Sequence, residues 1–154
     1  MRSTVLGTAR STLRQERKLP DNVGKYSKKI DIALPGQHVR TLYDNCTWME
    51  ASIQAQLRTG KSRLNGSLHQ IKAVPSDQCG CGQATETVEH YLLRCTQWTT
   101  QRAEILHCLD TQSNNVSFYL GGKARSDGED WKPNMQAVRA TIRFVKATSR
   151  LDNA

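Results

Sequence analysis

Apolar residues recur at helical spacing along most of this chain, and the elements they predict are helices. Between Thr41 and Leu57, Trp48, Ile53 and Leu57 are carried on one helix that Ala51 and Ala55 favour. Asn45 or Thr47 is placed to cap its start, and Gly60 ends it. Leu64, Leu68 and Ile71 follow at i, i+4, i+7 and predict a second helix, closed by Pro75. Val88–Arg94 reads as helical behind Thr85 or Thr87 as N-cap; three residues after Thr87 stands His90, not the Glu of a capping box. Gln97 to Leu109 continues as an amphipathic helix with Trp98, Ile105, Leu106 and Leu109. Phe118, Tyr119 and Leu120 form a short apolar patch before Gly121-Gly122, and a polar loop follows. The last helix spans Pro133 to Arg150, with the proline at its first position.

That last helix predicts two faces. Met135, Val138, Ile142 and Val145 fall on one side, while Arg139, Arg143, Lys146 and Arg150 form an adjacent cationic stripe. The stripe reads either as an ordinary solvated face or as a track for phosphates. Before residue 41 the pattern weakens. Pro20, Gly24, Pro35 and Gly36 punctuate a segment in which residues 3–18 suit a short basic helix at most. The expected fold is mainly α: a basic, partly disordered arm over 1–40, a helical body over 41–121, and a polar loop with a basic helix over 122–154.

Composition changes this picture in two ways. Hydrophobic residues make up only 37% of the 154 residues, aromatics 6%, and mean hydropathy is −0.62, which argues for a loop-rich body needing extra support rather than a large core. The formal net charge is +8, and residues 1–40 hold nine basic residues against three acidic ones. Such an arm is the electrostatic footprint of a polyanion-binding protein, nucleic acid above all, with solubility as the alternative. No apolar run approaches a membrane span, and MRSTVLGTARSTLR lacks the apolar stretch of a secretory leader. An intracellular, nuclear protein without a membrane partner or a small-molecule substrate is expected.

The support is sought among the five cysteines. Three of them, with one histidine, fall inside the seventeen-residue run CGCGQATETVEHYLLRC: Cys79, Cys81, His90 and Cys95. Three thiols and an imidazole suit tetrahedral Zn²⁺ in a structural site. The C-x-C pair is closer than usual and demands a very tight turn, for which Gly80 and Gly82 are suited, whereas H-x₄-C is the spacing of retroviral zinc knuckles. The alternative is a pair of buried thiols beside a surface histidine. His90 and Cys95 are about 500° apart on a regular helix, roughly 140° from a shared face, so the helix must end or distort near Leu93-Arg94. Glu86 and Glu89 read as a solvated helical face or as acceptors for His90. Cys46 and Cys108 read as small buried apolar residues.

The runs LYDNCTWMEASIQAQLRTGKSRLNGSLHQI and CGCGQATETVEHYLLRCTQW resemble the C-terminal region of polyproteins from fungal non-LTR (LINE-like) retrotransposons. SFYLGGKARSDGEDWKPNMQAVRATIRFVKATSRLD is similar to the extreme end of those polyproteins, and LPGQHVR at 34–40 and Leu57-Arg58-Thr59-Gly60 extend the match from about residue 20 onward. In that family the region follows the endonuclease, reverse transcriptase and RNase H modules as a zinc-binding, nucleic-acid-associated tail. The resemblance implies Cys79, Cys81, His90 and Cys95 as Zn²⁺ ligands. It also implies RNA or DNA as partner, with reverse transcriptase in trans as a further one.

Arg94, Trp98, Arg102 and the four cations of the last helix are the candidate nucleic-acid contacts. Trp98 serves either to stack a base or to fill the core. An enzyme is not expected. There is no YxDD-type motif, no adjacent Asp pair, no Gly-x-Ser-x-Gly, and Ala55 stands where a phosphate-binding loop ending at Gly60-Lys61-Ser62 needs glycine. The competing reading is a zinc-stabilised module that docks on reverse transcriptase or a host factor.

Overall fold

The computed structural model describes residues 20–106 and 114–152. The expected basic helix over 3–18, the expected burial of Cys108 and the helical placement of Leu109 lie outside the described residues. The molecule is mainly helical. Its helices are α1 (Lys25–Ile30), α2 (His38–Tyr43), α3 (Trp48–Thr59), α4 (Asn65–Gln70), α5 (Thr99–Ile105), α6 (Val116–Tyr119) and α7 (Met135–Thr148). A π-helical turn, His90–Arg94, and a 3₁₀ turn, Thr96–Trp98, lie between α4 and α5. None of the described helices is long and apolar enough to cross a membrane.

The last helix is the centre of the fold rather than an appendage. α7 packs against α3, α5 and α6. It buries Ala137, Val138, Ala140, Thr141, Ile142, Phe144, Val145 and Thr148, a wider face than the four-residue stripe predicted. Small residues at 137 and 140 let neighbouring helices approach closely, and Phe144 fills the middle against Tyr91, with ring centroids 5.3 Å apart. Asn134, not Pro133, is the N-cap: its side chain accepts the Ala137 N–H at 3.0 Å, placing the proline outside the helix.

α3 starts as its sequence suggests and more strongly. Thr47 Oγ1 accepts the Glu50 N–H at 3.2 Å while the Glu50 carboxylate accepts the Thr47 N–H at 2.9 Å, a complete capping box. Thr47→Ala is expected to cost about 1 kcal/mol, read as a lower urea midpoint at unchanged m-value. Ile53 and Leu57 are buried as predicted, but Trp48 is 77% exposed at the first turn. Ile71 is 69% exposed as well, because α4 ends at Gln70 before its third apolar position is reached. Cys46 is half-buried, with its thiol donating to the Leu42 carbonyl at 3.3 Å.

The segment expected as a loose arm contributes to the core from residue 25 onward. α1 packs on α3, Ile30 joins the hydrophobic cluster, and Asp31 is fully buried. Asp31 Oδ2 takes Arg58 and His38 at 2.6 Å each, while Oδ1 accepts the N–H groups of Ala33 and Lys123 at 3.1 Å. The Arg58 guanidinium also donates to the Leu120 carbonyl, joining α1, α3 and the end of α6. Periodicity carries no signal for a contact of this kind.

Candidate metal centre

Cys79 and Cys81 sit on a miniature hairpin. Gln78 and Thr85 form an isolated antiparallel bridge, the Cys79 N–H donates to the Ala84 carbonyl at 2.8 Å, and the Gly82 N–H closes a tight turn on the Cys79 carbonyl at 2.9 Å. Gly82 has φ +75°, where a side chain would be strained; Gly80 does not need the left-handed region, so one glycine carries the demand placed on two. The chain then enters a helical turn. Thr87 is the cap, its hydroxyl accepting the His90 N–H at 3.1 Å.

From His90 the turn widens. The Cys95 N–H donates to the His90 carbonyl at 2.7 Å, an i→i+5 bond, and Cys95 itself is extended. This extra residue in the turn is the distortion that the H-x₄-C spacing demanded. It brings Cys95 back toward the hairpin. The ligand atoms of Cys79, Cys81, His90 and Cys95 all lie within 4.8 Å of one another. Cys79 Sγ is 3.5 Å from Cys95 Sγ, and Cys81 Sγ is 3.3 Å from His90 Nε2. The edges of a tetrahedron with metal–sulfur bonds of about 2.3 Å and a metal–nitrogen bond of about 2.0 Å are about 3.5–3.8 Å, so the four groups can hold one metal ion with little movement.

The electrostatics suit thiolates unevenly. Burial pushes the Cys79 thiol up to about 12, the neighbouring sulfurs adding to the effect, although the Cys81 N–H donates to it. Cys81 is shifted down, chiefly by the Gln83 N–H, with Ala84 contributing as well. Burial lowers His90, which keeps its imidazole neutral, the ligating form, at neutral pH. A cation amid the four groups would reverse the penalty on Cys79, since a coordinating thiol is deprotonated outright. Backbone N–H groups aimed at ligand sulfurs are the outer contacts that orient and stabilise such ligands.

Two arginines and a glutamate seat this unit on the helical body. Arg102 donates to three carbonyls of the widened turn, those of Leu92 at 2.8 Å, Cys95 at 2.9 Å and Tyr91 at 3.3 Å, satisfying groups a regular helix would have paired. Glu86 is 2% exposed and binds Arg150 through both oxygens, at 2.6 and 2.7 Å. It also accepts the Asn65 N–H at 2.7 Å, while Asn65 Nδ2 reaches the Gln78 carbonyl at 2.8 Å. Gly66 permits this seat, because a Cβ there would meet the Glu86 carbonyl oxygen at 2.8 Å. Glu86 is therefore neither a solvated residue nor an acceptor for His90. Glu89 is solvated and pairs with Arg94 at 3.2 Å.

The seven candidate nucleic-acid contacts differ in their surroundings. Arg102 and Arg150 are engaged as described. Trp98 is half-buried against the core with its indole N–H enclosed, as a packing residue is. Arg139 and Lys146 share Glu50, at 3.9 and 3.0 Å. Arg143 and Arg94 face solvent. Glu86, Asn65 and Arg150 as holders of the hairpin escaped sequence reasoning, since no local signal links positions 64 or 85 residues apart. His38 escaped it too. No family model, curated protein or solved structure matches this chain.

Proposed function

We propose that Cys79, Cys81, His90 and Cys95 hold one Zn²⁺ as a structural ion, and that the folded unit serves as a nucleic-acid-binding tail of a retrotransposon-derived protein acting in the nucleus. The observation that carries the first half is the convergence of four side-chain ligands within 4.8 Å across a hairpin and a widened turn. Their chemistry selects the ion: thiolates with imidazole in tetrahedral array suit Zn²⁺ over Mg²⁺ or Ca²⁺, which take oxygen. Four protein ligands leave no coordination position for water, so the ion organises structure and activates no nucleophile. No catalytic residues are assigned.

The second half rests on the formal net charge of +8 and on the resemblance of the ligand-bearing run to retrotransposon tails. The bound polymer, RNA or DNA, would be held through its phosphates, in support of a reverse transcriptase carried elsewhere. Binding of a random oligonucleotide is expected to weaken steeply with salt, log affinity falling by about 0.7 per phosphate contact for each unit of log salt concentration on a single strand. Filter binding or fluorescence anisotropy from about 50 to 200 mM salt measures the slope. No binding at the low end of that range would favour the docking module instead.

The docking reading has one observation of its own. Trp48, Met49 and Ile71 are large apolar side chains left exposed on the surface.

A further inference from the structure

Two concavities share Lys25 of α1, which links the cations lining one to those lining the other in a track. The first, about 630 Å³, lies between α1 and the segment after α6, where Lys25, Lys28, Lys29 and Arg125 converge around Ile32 with one carboxylate, Asp21. The second, about 480 Å³, lies on the other side of Lys25, toward the metal hairpin, and brings in Lys61 and His69. Its acidic groups are Asp77 and Glu86, and the Glu86 charge is matched by Arg150. Lys25 lines both.

The charges along this track are available. Lys25, Lys29, Lys61 and Arg125 are exposed and make no ion pair with any described residue. The cations at 139, 143, 146 and 150 contrast with this, because Glu50 pairs with Arg139 and Lys146 and Glu86 with Arg150. Like charges gathered in a recess between low-dielectric walls focus the potential and draw a polyanion in. The first concavity offers no aromatic ring for base stacking, and the second is bordered by His69 and by Tyr26, whose side chain is half-buried. The lysines and Arg125 suit contacts to phosphates, which position a strand without reading its sequence.

We infer that this track, from Arg125 across Lys29 and Lys25 to Lys61, binds the phosphate backbone of single-stranded nucleic acid with little sequence preference. It rests on the nucleic-acid reading given above and names where the polymer lies. A flexible single strand can dip into one recess, cross Lys25 and enter the next, while a stiff duplex spans both without filling either.

The test uses the full chain, loaded with Zn²⁺, and a fluorescent mixed-sequence single strand of RNA or DNA. Lys25→Gln/Lys29→Gln/Arg125→Gln is compared with Lys72→Gln/Lys132→Gln, two exposed cations that line neither concavity, each checked for wild-type helical content and metal content. Loss of three phosphate contacts should reduce the salt slope by about 2 and weaken binding by about tenfold or more at low salt, while the second variant changes little. Duplex of the same length should bind less tightly. Equal weakening by both variants, an unchanged slope in the track variant, or preference for duplex overturns the placement with nucleic-acid binding intact. If the wild-type chain binds no oligonucleotide at all, the underlying reading falls with it. Should the triple variant lose helical content, Lys29→Gln/Arg125→Gln is used in its place, with an expected slope change of about 1.4.

Discussion

Withdrawing the metal, or replacing Cys95 with alanine, is expected to unfold the hairpin and the widened turn and to destabilise the helical body behind them. A structural Zn²⁺ contributes on the order of 10 kcal/mol of apparent binding free energy at neutral pH, comparable with the whole stability of a domain. The reason the loss spreads is visible in the connections. The hairpin is joined to the segment just after α7 through Glu86 and Arg150, and the turn is joined to α5 through Arg102. Tyr91, within that turn, bonds Thr148 on α7 and packs on Phe144. Chelator titration followed by far-UV circular dichroism, with metal counted by atomic emission, should show one ion per chain and a cooperative loss of helix as it leaves. Cys46→Ala, outside the cluster, should retain both ion and helix. Helical content and melting temperature untouched by chelator would sink the proposed structural role.

The second large effect is expected at Asp31. Its carboxylate is fully buried, and the opposing charges must stay matched. Arg58→Met removes the guanidinium at 2.6 Å and leaves a buried charge short of its partner, which costs about 3–5 kcal/mol. Asp31→Asn/Arg58→Met, with no stranded charge, should recover much of that loss in urea denaturation. The pH dependence has a definite sign. Burial works to raise Asp31, but hydrogen bonds from His38, Arg58 and the Lys123 N–H outweigh it and hold the carboxyl below its usual range. A carboxyl depressed in the folded state contributes stability that is complete above its unfolded value of about 4 and is lost as pH falls through the folded one. The wild-type urea midpoint should therefore decline below about pH 4 more steeply than that of the double variant. A cost under about 1 kcal/mol for Arg58→Met would mean that the network is effectively solvated.

What was legible in the chain follows from how local each cause is. The mainly helical class, the start of α3 at Thr47, the end at Gly60 and the existence of α7 depend on neighbours within a turn or two. The cysteine and histidine cluster was legible because coordination chemistry restricts which residue types gather at such spacing. The break in the helix before Cys95 was legible because five residues of regular helix cannot place two ligands on one ion. Trp48 and Ile71 show where the same reasoning fails. Helical spacing says which residues share a face, and whether anything covers that face depends on how many elements surround it.

Charges divide along the same line. Counting Lys and Arg suggested two basic regions, at the chain's beginning and along its last helix. In the folded molecule Glu50 pairs with Arg139 and Lys146 and Glu86 with Arg150, while Lys25 and Lys29 stay exposed along recesses they share with Arg125 and Lys61. Side chains separated by tens of residues meet only after packing, and an ion pair leaves no periodic trace. By itself the sequence determined the secondary structure class, the four converging cysteine and histidine side chains and the turn chemistry that joins them, because backbone sterics and side-chain chemistry act over a few residues. The tertiary structure alone decided which faces are covered, which acids are buried and which cations stay free, because those depend on surfaces that no short stretch of chain contains.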